Sequence, residues 1–444
     1  MADPRRRRLV IAVGIYLVVV GTFFAVIPRS RILEHTPFNH FALLAETWLH
    51  GRLDLPEGPP PYAQNNDFAS FQHRWFIAFP PFPALLILPF VWWGKTAEHV
   101  RDAQFFLWLS GIGPAVLFLA LEKLRRMGVN EHGERANIVL ALLFAFGSVY
   151  FFTAVQGTVW FAAHVVGVAV GAIYLLAALE GEYPAVAGLM IGLGFLTRTP
   201  LLFATPLFVF EACRTALTED VAPVAGEGML ARARSFLRRL DKAKVARRFV
   251  LFALPFAVCI AVALWHNVAR FGRVGDFGYE YLTVAWQARM KKWGIFSYHY
   301  LARNLGIVLT GLPFWDRQSS APLQVNDHGL ALWVTTPLYL WLLWPKRRGP
   351  VVVALYVTAI AVALPGLFYQ NTGWMQFGYR FSNDYAVFLF ALIAVIGIRY
   401  GKLFTAAAIW SVALNAFGAV TFDTATFRKF YYEDPSQRII YQQD

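Results

Sequence analysis

Long apolar runs separated by short polar turns dominate the chain. The first run, residues 9–27, directly follows four consecutive arginines at positions 5–8. A membrane-spanning helix needs about 20 predominantly apolar residues, and its backbone groups must bond to one another because no water reaches them. The pattern therefore predicts a first spanning helix, and further apolar runs follow at 80–93, 103–121, 138–155, 158–179, 185–196, 201–210, 249–265, 329–344, 351–368, 385–398 and 404–420.

Composition supports this interpretation. Of the 444 residues, 57% are hydrophobic and only 15% are charged, whereas an average soluble protein has about 25% charged residues. A water-soluble globule of this length could not bury so much apolar surface, and a disordered chain would contain far less of it. We therefore predict an all-α polytopic membrane protein in which residues 1–444 form one membrane domain.

The chain has a formal net charge of +13, and the positions of the basic residues indicate how it is oriented in the membrane. Basic residues cluster at 5–8, 123–126, 214–248 and 346–348, in the polar turns between apolar runs. Cytoplasmic loops of membrane proteins carry an excess of Lys and Arg, so these clusters predict a cytoplasmic N-terminus and cytoplasmic turns. The longest, 214–248, is expected to rest on anionic lipid. Because this charge orients the chain in the bilayer, no nucleic-acid partner is predicted.

The number of apolar runs fits this orientation only if one of them does not cross. Segment 28–79 must be external and the turn at 123–126 cytoplasmic, yet two runs lie between them. Run 80–93 is short and contains four prolines, so we expect it to be re-entrant or interfacial. This leaves about 11 spanning helices, within a range of about 10–13, and an external tail at 422–444. A single helix across the break at 197–200 would change this parity.

Carboxylates and histidines concentrate in two long external segments, 28–79 and 266–328, and again at 370–384. Long connections in compact proteins are usually functional, and we expect short interfacial helices within these. Because charged groups are scarce elsewhere, their gathering on one face favours general-base chemistry combined with phosphate recognition by arginine. The alternative is an ordinary solvated surface.

Several stretches resemble those of the GT-C superfamily of membrane glycosyltransferases, which use polyprenyl-phosphate sugars. Residues 39–54 (NHFALLAETWLHGRLD), followed by 75–86 (WFIAFPPFPALL), resemble the first external loop of these enzymes. Further similarity is found, in the same order along most of the chain, at 157–160 (GTVW), 192–198 (GLGFLTR), 267–272 (NVARFG) and 376–381 (QFGYRF). The resemblance implies a GT-C-like transmembrane helix bundle.

The resemblance also implies an inverting transfer of a sugar from a polyprenyl-phosphate donor to a hydroxyl of a glycan, lipid or protein acceptor. In such families an acidic residue early in the first external loop is the base, but the matching place here holds Asn39 and His40. Because Asn cannot take a proton, the base is His40 or a displaced carboxylate, Asp67 or Asp54. Asp67 is favoured, since it ends a polar stretch shortly before the proline-rich run.

Arg270 and Arg380 are the candidate phosphate-binding residues, because both are expected just outside helix ends, at the height of a lipid phosphate. The alternative for each is an interfacial arginine that only extends its charged end to water. Arg74 and Arg198 are weaker candidates for the same role. His164 is expected to be a hydrogen-bonded packing residue. The candidate substrate-binding residues are Glu46, Asn66, His73 and Asp384.

The sequence therefore predicts a monomeric glycosyltransferase in the lipid bilayer of the bacterial inner membrane, with its active site on the periplasmic face. The alternative is a transporter or flippase of a lipid-linked or amphipathic substrate, although no internal repeat of the kind common in transporters is visible. A non-catalytic scaffold would leave the external segments unexplained. No metal site is predicted, because no Cys/His pattern has zinc-ligand spacing, but clustered carboxylates could hold a divalent ion.

Overall fold

The computed structural model describes residues 3–218, 235–236, 238–284, 286–315, 317 and 320–432. Residues 219–234 of the predicted basic segment 214–248, and residues 433–444 of the predicted external tail 422–444, lie outside the described residues. The helices of the described part are α1 (Pro4–Val26), α2 (Arg29–Leu33), α3 (His40–Leu49), α4 (Phe82–Gly94), α5 (Asp102–Leu109), α6 (Ile112–Arg126), α7 (Glu134–Phe146), α8 (Tyr150–Ala154), α9 (Val159–Ala178), α10 (Pro184–Phe195), α11 (Thr205–Arg214), α12 (Lys242–Phe271), α13 (Gln287–Trp293), α14 (Leu301–Thr310), α15 (Leu332–Thr335), α16 (Pro350–Phe368), α17 (Asn383–Val395) and α18 (Lys402–Thr421). The strands are β1 (Phe68–Phe71), β2 (Arg74–Ile77), β3 (Phe314–Trp315), β4 (Leu323–Asn326) and β5 (Tyr431–Tyr432).

The predicted membrane-embedded helix bundle is confirmed. Within the described residues, six helical segments are long and apolar enough to cross a bilayer: Pro4–Val26, Asp102–Arg126, Val159–Gly181, Lys242–Phe271, Pro350–Phe368 and Lys402–Thr421. Other predicted runs are shorter or broken, so the predicted number of spans stays a prediction.

Run 329–344 is not the single regular helix that its hydropathy suggested. It contains α15 and a 3₁₀ helix, Pro337–Leu343, with a non-helical residue, Thr336, between them. The break has a local cause, because a residue that precedes proline is disfavoured in the α conformation and proline has no N–H to continue the helix.

The N-terminus and several of the basic turns lie together at one end of the bundle, which we call the basic end. Side chains connect them across the helices: Arg7 with Glu134 (2.5 Å), Lys123 with Glu182 (2.5 Å), Asn137 with Glu122 (2.7 Å), Arg248 with the Glu180 carbonyl (3.2 Å), and Arg347 with Glu131. Such a concentration of Lys and Arg at one end is the distribution that the positive-inside rule associates with the cytoplasm.

The proline-rich run 80–93 forms α4, which stays at the opposite end. Just before α4, the Ile77 carbonyl accepts a hydrogen bond from Arg270, near the end of α12 (2.7 Å). Just after α4, the Ala97 N–H donates to the Glu46 carboxylate in α3 (3.0 Å). Both ends of α4 are therefore tied to the external segments, while its placement in the membrane interface stays a prediction.

Helices α10 and α11 form a hairpin that starts and finishes at the basic end. At 12 residues, α10 rises only about 18 Å, which is less than the ~30 Å hydrocarbon thickness of a bilayer. The backbone turns at 197–200. Pro200 is the second residue of the 3₁₀ helix Thr199–Ala204, which begins there. The two short runs therefore remain separate segments, and the tip of their hairpin lies inside the bundle.

The two external segments pack against each other above the bundle. Strands β1 and β2 form an antiparallel hairpin that pairs Phe68 with Ile77. Ala69 of this hairpin bridges to Leu282 in the second segment, and the same region shares a small apolar core with Phe271. This packing fixes the loop that precedes β1 over the cavity described next.

Candidate functional site

A cavity of about 1220 Å³ lies between the external segments and the hairpin tip. Its polar lining includes six of the candidate residues named from the sequence: Asn66, Asp67, Arg198, Arg270, Arg380 and Asp384. They come from the first external segment and from the ends of four helical elements distant in sequence. The cavity therefore brings two carboxylates and three guanidinium groups from distant parts of the chain into a single space.

Asp67 is held in this cavity by a strained, locally determined loop. Gln64, Asn65 and Asp67 all have positive φ angles (51°, 53° and 61°), a conformation that Asn and Asp tolerate better than most residues. The Trp160 indole N–H donates to the Asp67 carboxylate over 2.7 Å. Burial raises the pKa of Asp67, while this hydrogen bond and the nearby Arg380 charge lower it. A carboxylate in this setting is better able to accept a proton than an exposed one.

His40, one of the predicted base candidates, is a support of the Asp67 loop and does not line the cavity. Its Nε2 lies 2.9 Å from the Asn66 carbonyl oxygen, and its ring stacks on Phe68 at 4.4 Å between centroids. Burial lowers the pKa of His40 to about 4, so the imidazole is neutral at neutral pH and Nε2 can donate to the carbonyl. The hydrogen bond and the stack act on the residues on either side of Asp67.

Arg380 has its guanidinium group in the cavity with few partners. The residue is 6% exposed, its Nη1 donates to the Met375 carbonyl over 3.4 Å, and its charge lies 4.8 Å from the centre of the Phe161 ring. Its Nε has no hydrogen-bond partner within the described residues, and no ion pair joins it to a carboxylate there. A buried cation with unused donors favours an anionic ligand.

Arg270, near the end of α12, is a second buried cation in the cavity that has no carboxylate partner. Its three nitrogens donate only to neutral acceptors: Nη1 to the Ile77 carbonyl (2.7 Å), Nη2 to the Asn267 side chain (3.2 Å) and Nε to the His266 carbonyl (3.3 Å). These bonds fix its orientation without neutralising its charge. Arg270 and Arg380 are therefore both positioned to offer net positive charge to the cavity.

Arg198 and Asp384 neutralise each other at the floor of the cavity. Arg198, at the tip of the α10–α11 hairpin, makes a bidentate ion pair with Asp384 at the start of α17 (3.0 and 2.7 Å). His164 of α9 lies 3.1 Å from the same carboxylate, which confirms its prediction as a hydrogen-bonded packing residue. Asp384, proposed from sequence as a substrate contact, is thus engaged in holding three helical elements together.

Four other candidates, which the sequence analysis placed in the same site, do not line the cavity. That part of the prediction is wrong. Asp54 is 3% exposed and pairs with Arg52 (2.9 Å) and Arg74 (2.8 Å). The bond from Arg74 lowers the pKa of Asp54 to about 2, so it is a poor base, and Arg74 is not a cavity cation. Glu46 accepts from the Ala97 N–H, and His73 forms the exposed turn between β1 and β2 with a φ of 60°.

Sequence reasoning gave no role in the cavity to several aromatic residues that line it. Trp286, Trp374 and Tyr279 form its outer part, and the indole N–H groups of both tryptophans have no partner within the described residues. The side of the cavity is apolar and includes Phe203 and Leu364, which are 48% and 44% exposed. Partly exposed apolar residues on such a bundle face lipid, so the cavity has a lipid-facing side.

Within the described residues no group of three or more His, Cys, Asp or Glu side chains could hold a metal ion. Of the carboxylates that line the cavity, the partly buried Asp67 accepts a hydrogen bond from an indole N–H, and the buried Asp384 pairs with Arg198.

Comparison with known proteins identifies the class of fold. No family model matches the chain, and no curated protein matches it. The crystal structure of the oligosaccharyltransferase of Archaeoglobus fulgidus in its apo form superposes with a TM-score of 0.51 at 15% identity, over 93% of this chain and 56% of that chain. The same organism's oligosaccharyltransferase AglB, in complex with an inhibitory peptide and a dolichol-phosphate, gives 0.50 at 13% identity, over 96% and 56%. ArnT from Cupriavidus metallidurans, bound to undecaprenyl phosphate, gives 0.47 at 14% identity, over 94% and 66%.

The chain therefore has the GT-C-like fold that its sequence motifs suggested, and it is an integral membrane protein. It spans about 56% of the length of the archaeal oligosaccharyltransferase that it resembles. At this level of identity the likeness concerns the fold, so the chemistry must be argued from the cavity of this chain.

Proposed function

We propose that the protein is an inverting glycosyltransferase that moves a sugar from a polyprenyl-phosphate donor to an acceptor hydroxyl. The observation that carries the proposal is the combination, in one cavity, of a partly buried carboxylate, two cations without carboxylate partners and a lipid-facing apolar side. These are the groups needed by a substrate that is a lipid at one end, a phosphate in the middle and a sugar at the other end.

The proposed donor site follows from this arrangement. Arg380 and Arg270 bind the phosphate, since guanidinium groups match phosphate oxygens in geometry and charge. The polyprenyl chain leaves along the apolar side past Phe203 and Leu364. The archaeal neighbour is described in complex with a dolichol-phosphate, which supports a lipid phosphate as the ligand of this fold.

In the proposed reaction, the acceptor hydroxyl oxygen attacks the anomeric carbon of the sugar and forms the new glycosidic bond. The bond from that carbon to the phosphate oxygen breaks, and the lipid phosphate leaves from the opposite face, so the anomeric configuration is inverted. Asp67 takes the hydroxyl proton, and Arg380 and Arg270 stabilise the charge that develops on the leaving phosphate. Trp160 holds the Asp67 carboxylate in place through the indole hydrogen bond.

The proposed location is the bacterial inner membrane, with the N-terminus in the cytoplasm and the cavity on the periplasmic side. Support comes from the basic end, which lies opposite the cavity: α18 starts at the basic end with Lys402 and finishes at Thr421, just before the cavity-lining Phe422. A glycan, a lipid or a protein could supply the hydroxyl. We propose a monomer, because one chain supplies every group in this scheme.

Binding of polyprenyl phosphate to the protein in lipid nanodiscs tests the donor site. Arg380→Ala removes a buried cation and is expected to weaken binding by about tenfold or more. Arg74→Ala is the matched control, because Arg74 is bound to Asp54 outside the cavity, and it should bind like wild type.

Sugar transfer must be measured alongside binding, because a transporter or flippase would also bind the lipid. Equal binding by Arg380→Ala and wild type would refute the phosphate site. Binding and transbilayer movement of the lipid-linked sugar, without transfer to any hydroxyl acceptor or to water, would replace the proposed enzyme with a flippase.

A further inference from the structure

A second cavity, of about 670 Å³, lies at the basic end of the bundle. Helix α18 separates it from the candidate site, because α18 begins beside this second cavity and reaches the first at its other end. Two turns, at 129–132 and 346–347, line it together with the end of α17 and the turn that follows, at 394–400. The proposed transferase reaction uses none of these residues, so the basic cavity needs an explanation of its own.

The charged residues of the basic cavity are predominantly cationic. Lys346, Arg347 and Arg399 line it against one carboxylate, Glu131. Arg347 pairs with Glu131, and its side-chain stem crosses Gly397, where a Cβ would meet the Arg347 Cγ at 2.7 Å. The packing on Gly397 fixes the Arg347 side chain, and the ion pair with Glu131 neutralises its charge. The side chains of Lys346 and Arg399 make no hydrogen bond or ion pair within the described part of the chain.

Helix ends add positive potential to these side chains. Helices α7, α16 and α18 begin directly after Gly133, Gly349 and Gly401, and none of the three has a side-chain cap on its first N–H groups. Each of these glycines follows a lining turn by one or two residues. A helix N-terminus carries about half a positive charge and attracts anions. The N-termini of these three helices therefore add to the positive potential of Lys346 and Arg399.

An aromatic wall completes the cavity and contributes a donor. The His132 ring stacks on Tyr400 at 4.0 Å, and Tyr400 stacks on Phe404 at 4.3 Å. The Tyr400 hydroxyl has no hydrogen-bond partner within the described residues. Buried hydroxyl groups are usually paired, so this one is available to a ligand oxygen.

Apolar side chains beside the basic cavity indicate where such a ligand comes from. Leu343, Trp344 and Leu403 flank the lining turns and are largely exposed. Trp341 packs against Phe404 at 5.5 Å, which holds the two apolar groups side by side. Exposed tryptophan and leucine side chains at the end of a membrane-embedded bundle are suited to the membrane interface, where headgroups meet acyl chains. A phosphate can therefore approach the cavity while attached to lipid.

We infer that the basic cavity binds a phosphate group, held by Lys346 and Arg399, and that its source is the headgroup of an anionic phospholipid. Basic pockets between helices on the cytoplasmic side are suited to such headgroups. Free phosphate shares the same chemistry and differs only in lacking the acyl chains that Leu343, Trp344 and Leu403 would contact.

Thermal unfolding of the purified full-length protein in a neutral detergent tests this site. Phosphatidylglycerol is expected to raise the unfolding midpoint, and phosphatidylcholine at the same concentration is expected to raise it far less. The double variant Lys346→Ala/Arg399→Ala should lose most of this difference, with an apparent affinity lower by about tenfold or more. The control Arg5→Ala/Arg6→Ala removes the same charge at the same end, outside the cavity, and should respond like wild type.

Two further measurements separate the possible outcomes. Native mass spectrometry should find fewer phosphatidylglycerol molecules on the double variant than on the control, a readout that holds even where unfolding is irreversible. Stabilisation by inorganic phosphate that depends on Lys346 and Arg399, without an additional effect of lipid, would retain the phosphate site and overturn its lipid source. Equal responses of the double variant and the control would overturn the site itself.

Discussion

The two aspartates of the first external segment show how different environments divide the roles of one residue type. Asp54 lies between two arginines, and its pKa is lowered to about 2 by the hydrogen bond from Arg74. Asp67, only a short distance along the chain, faces an indole N–H in an enclosed cavity where burial raises its pKa. A carboxylate that is tightly paired with arginine therefore stabilises the structure, whereas a carboxylate without an arginine partner can exchange a proton.

The largest expected effect comes from removing the proton acceptor. Asp67→Asn keeps the size of the side chain and an oxygen for the Trp160 hydrogen bond, but it cannot take a proton from the acceptor. We expect kcat for sugar transfer to fall by about 10²–10⁴-fold, while polyprenyl phosphate still binds. Steady-state transfer assays with the matched variant Asp54→Asn, which should stay within a few fold of wild type, check this contrast. Comparable losses in the two variants would remove the distinction between the aspartates.

The next effect concerns the support of the Asp67 loop by His40. His40→Phe retains the stack on Phe68 and removes the hydrogen bond to the Asn66 carbonyl. A displaced base should lower kcat by between about tenfold and a hundredfold, with little change in KM for the donor. A residue that only supported folding would lower the amount of folded protein and leave kcat per folded molecule unchanged.

The pH dependence of transfer distinguishes the aspartates in another way. Because burial raises the pKa of Asp67, the rate should fall on acidification at a higher pH than the usual carboxyl pKa of about 4. Trp160→Phe removes a hydrogen bond that favours the ionised carboxylate, so this acid limb should move to still higher pH. An acid limb at or below the usual carboxyl pKa would contradict Asp67 as the base.

The smallest expected effect is on the stability provided by Asp54. Its pKa is lower in the folded protein, so its ion pairs stabilise the fold above the unfolded pKa of about 4, and this contribution is lost as the pH falls toward about 2. Asp54→Asn should therefore destabilise the β1–β2 hairpin at neutral pH by less than about 1 kcal/mol, since both arginines are half exposed. Amide hydrogen exchange in the hairpin measures this, and the difference from wild type should shrink in acid.

The bundle could be predicted because its pattern is local. Residues 9–26 and 404–420 lie in continuous helices, since each is a run of apolar residues long enough to satisfy its own backbone. Arg270 and Arg380 could be singled out because charge is rare in such a chain, and both line the cavity. The break at Thr336 was less visible, since the hydropathy of run 329–344 continues across it.

The hydrogen bonds and ion pairs of the site could not be predicted, because they join distant parts of the chain. Asp384 meets Arg198 and His164 across separations of 186 and 220 residues. Asp54 and Arg74 carry the same charges as the cavity residues, and only the folded hairpin shows that they bind each other. Residue type and position therefore identified the candidates, while packing determined which of them share the cavity.

The most direct test is a cryo-electron microscopy map of the protein in nanodiscs with added polyprenyl phosphate. The proposed function predicts phosphate density between the Arg380 and Arg270 guanidinium groups, with the lipid chain running past Phe203 and Leu364 and the Asp67 carboxylate facing the space left for the sugar. Phosphate density at Arg74, or a lipid phosphate that leaves Arg380 and Arg270 uncontacted, would contradict it.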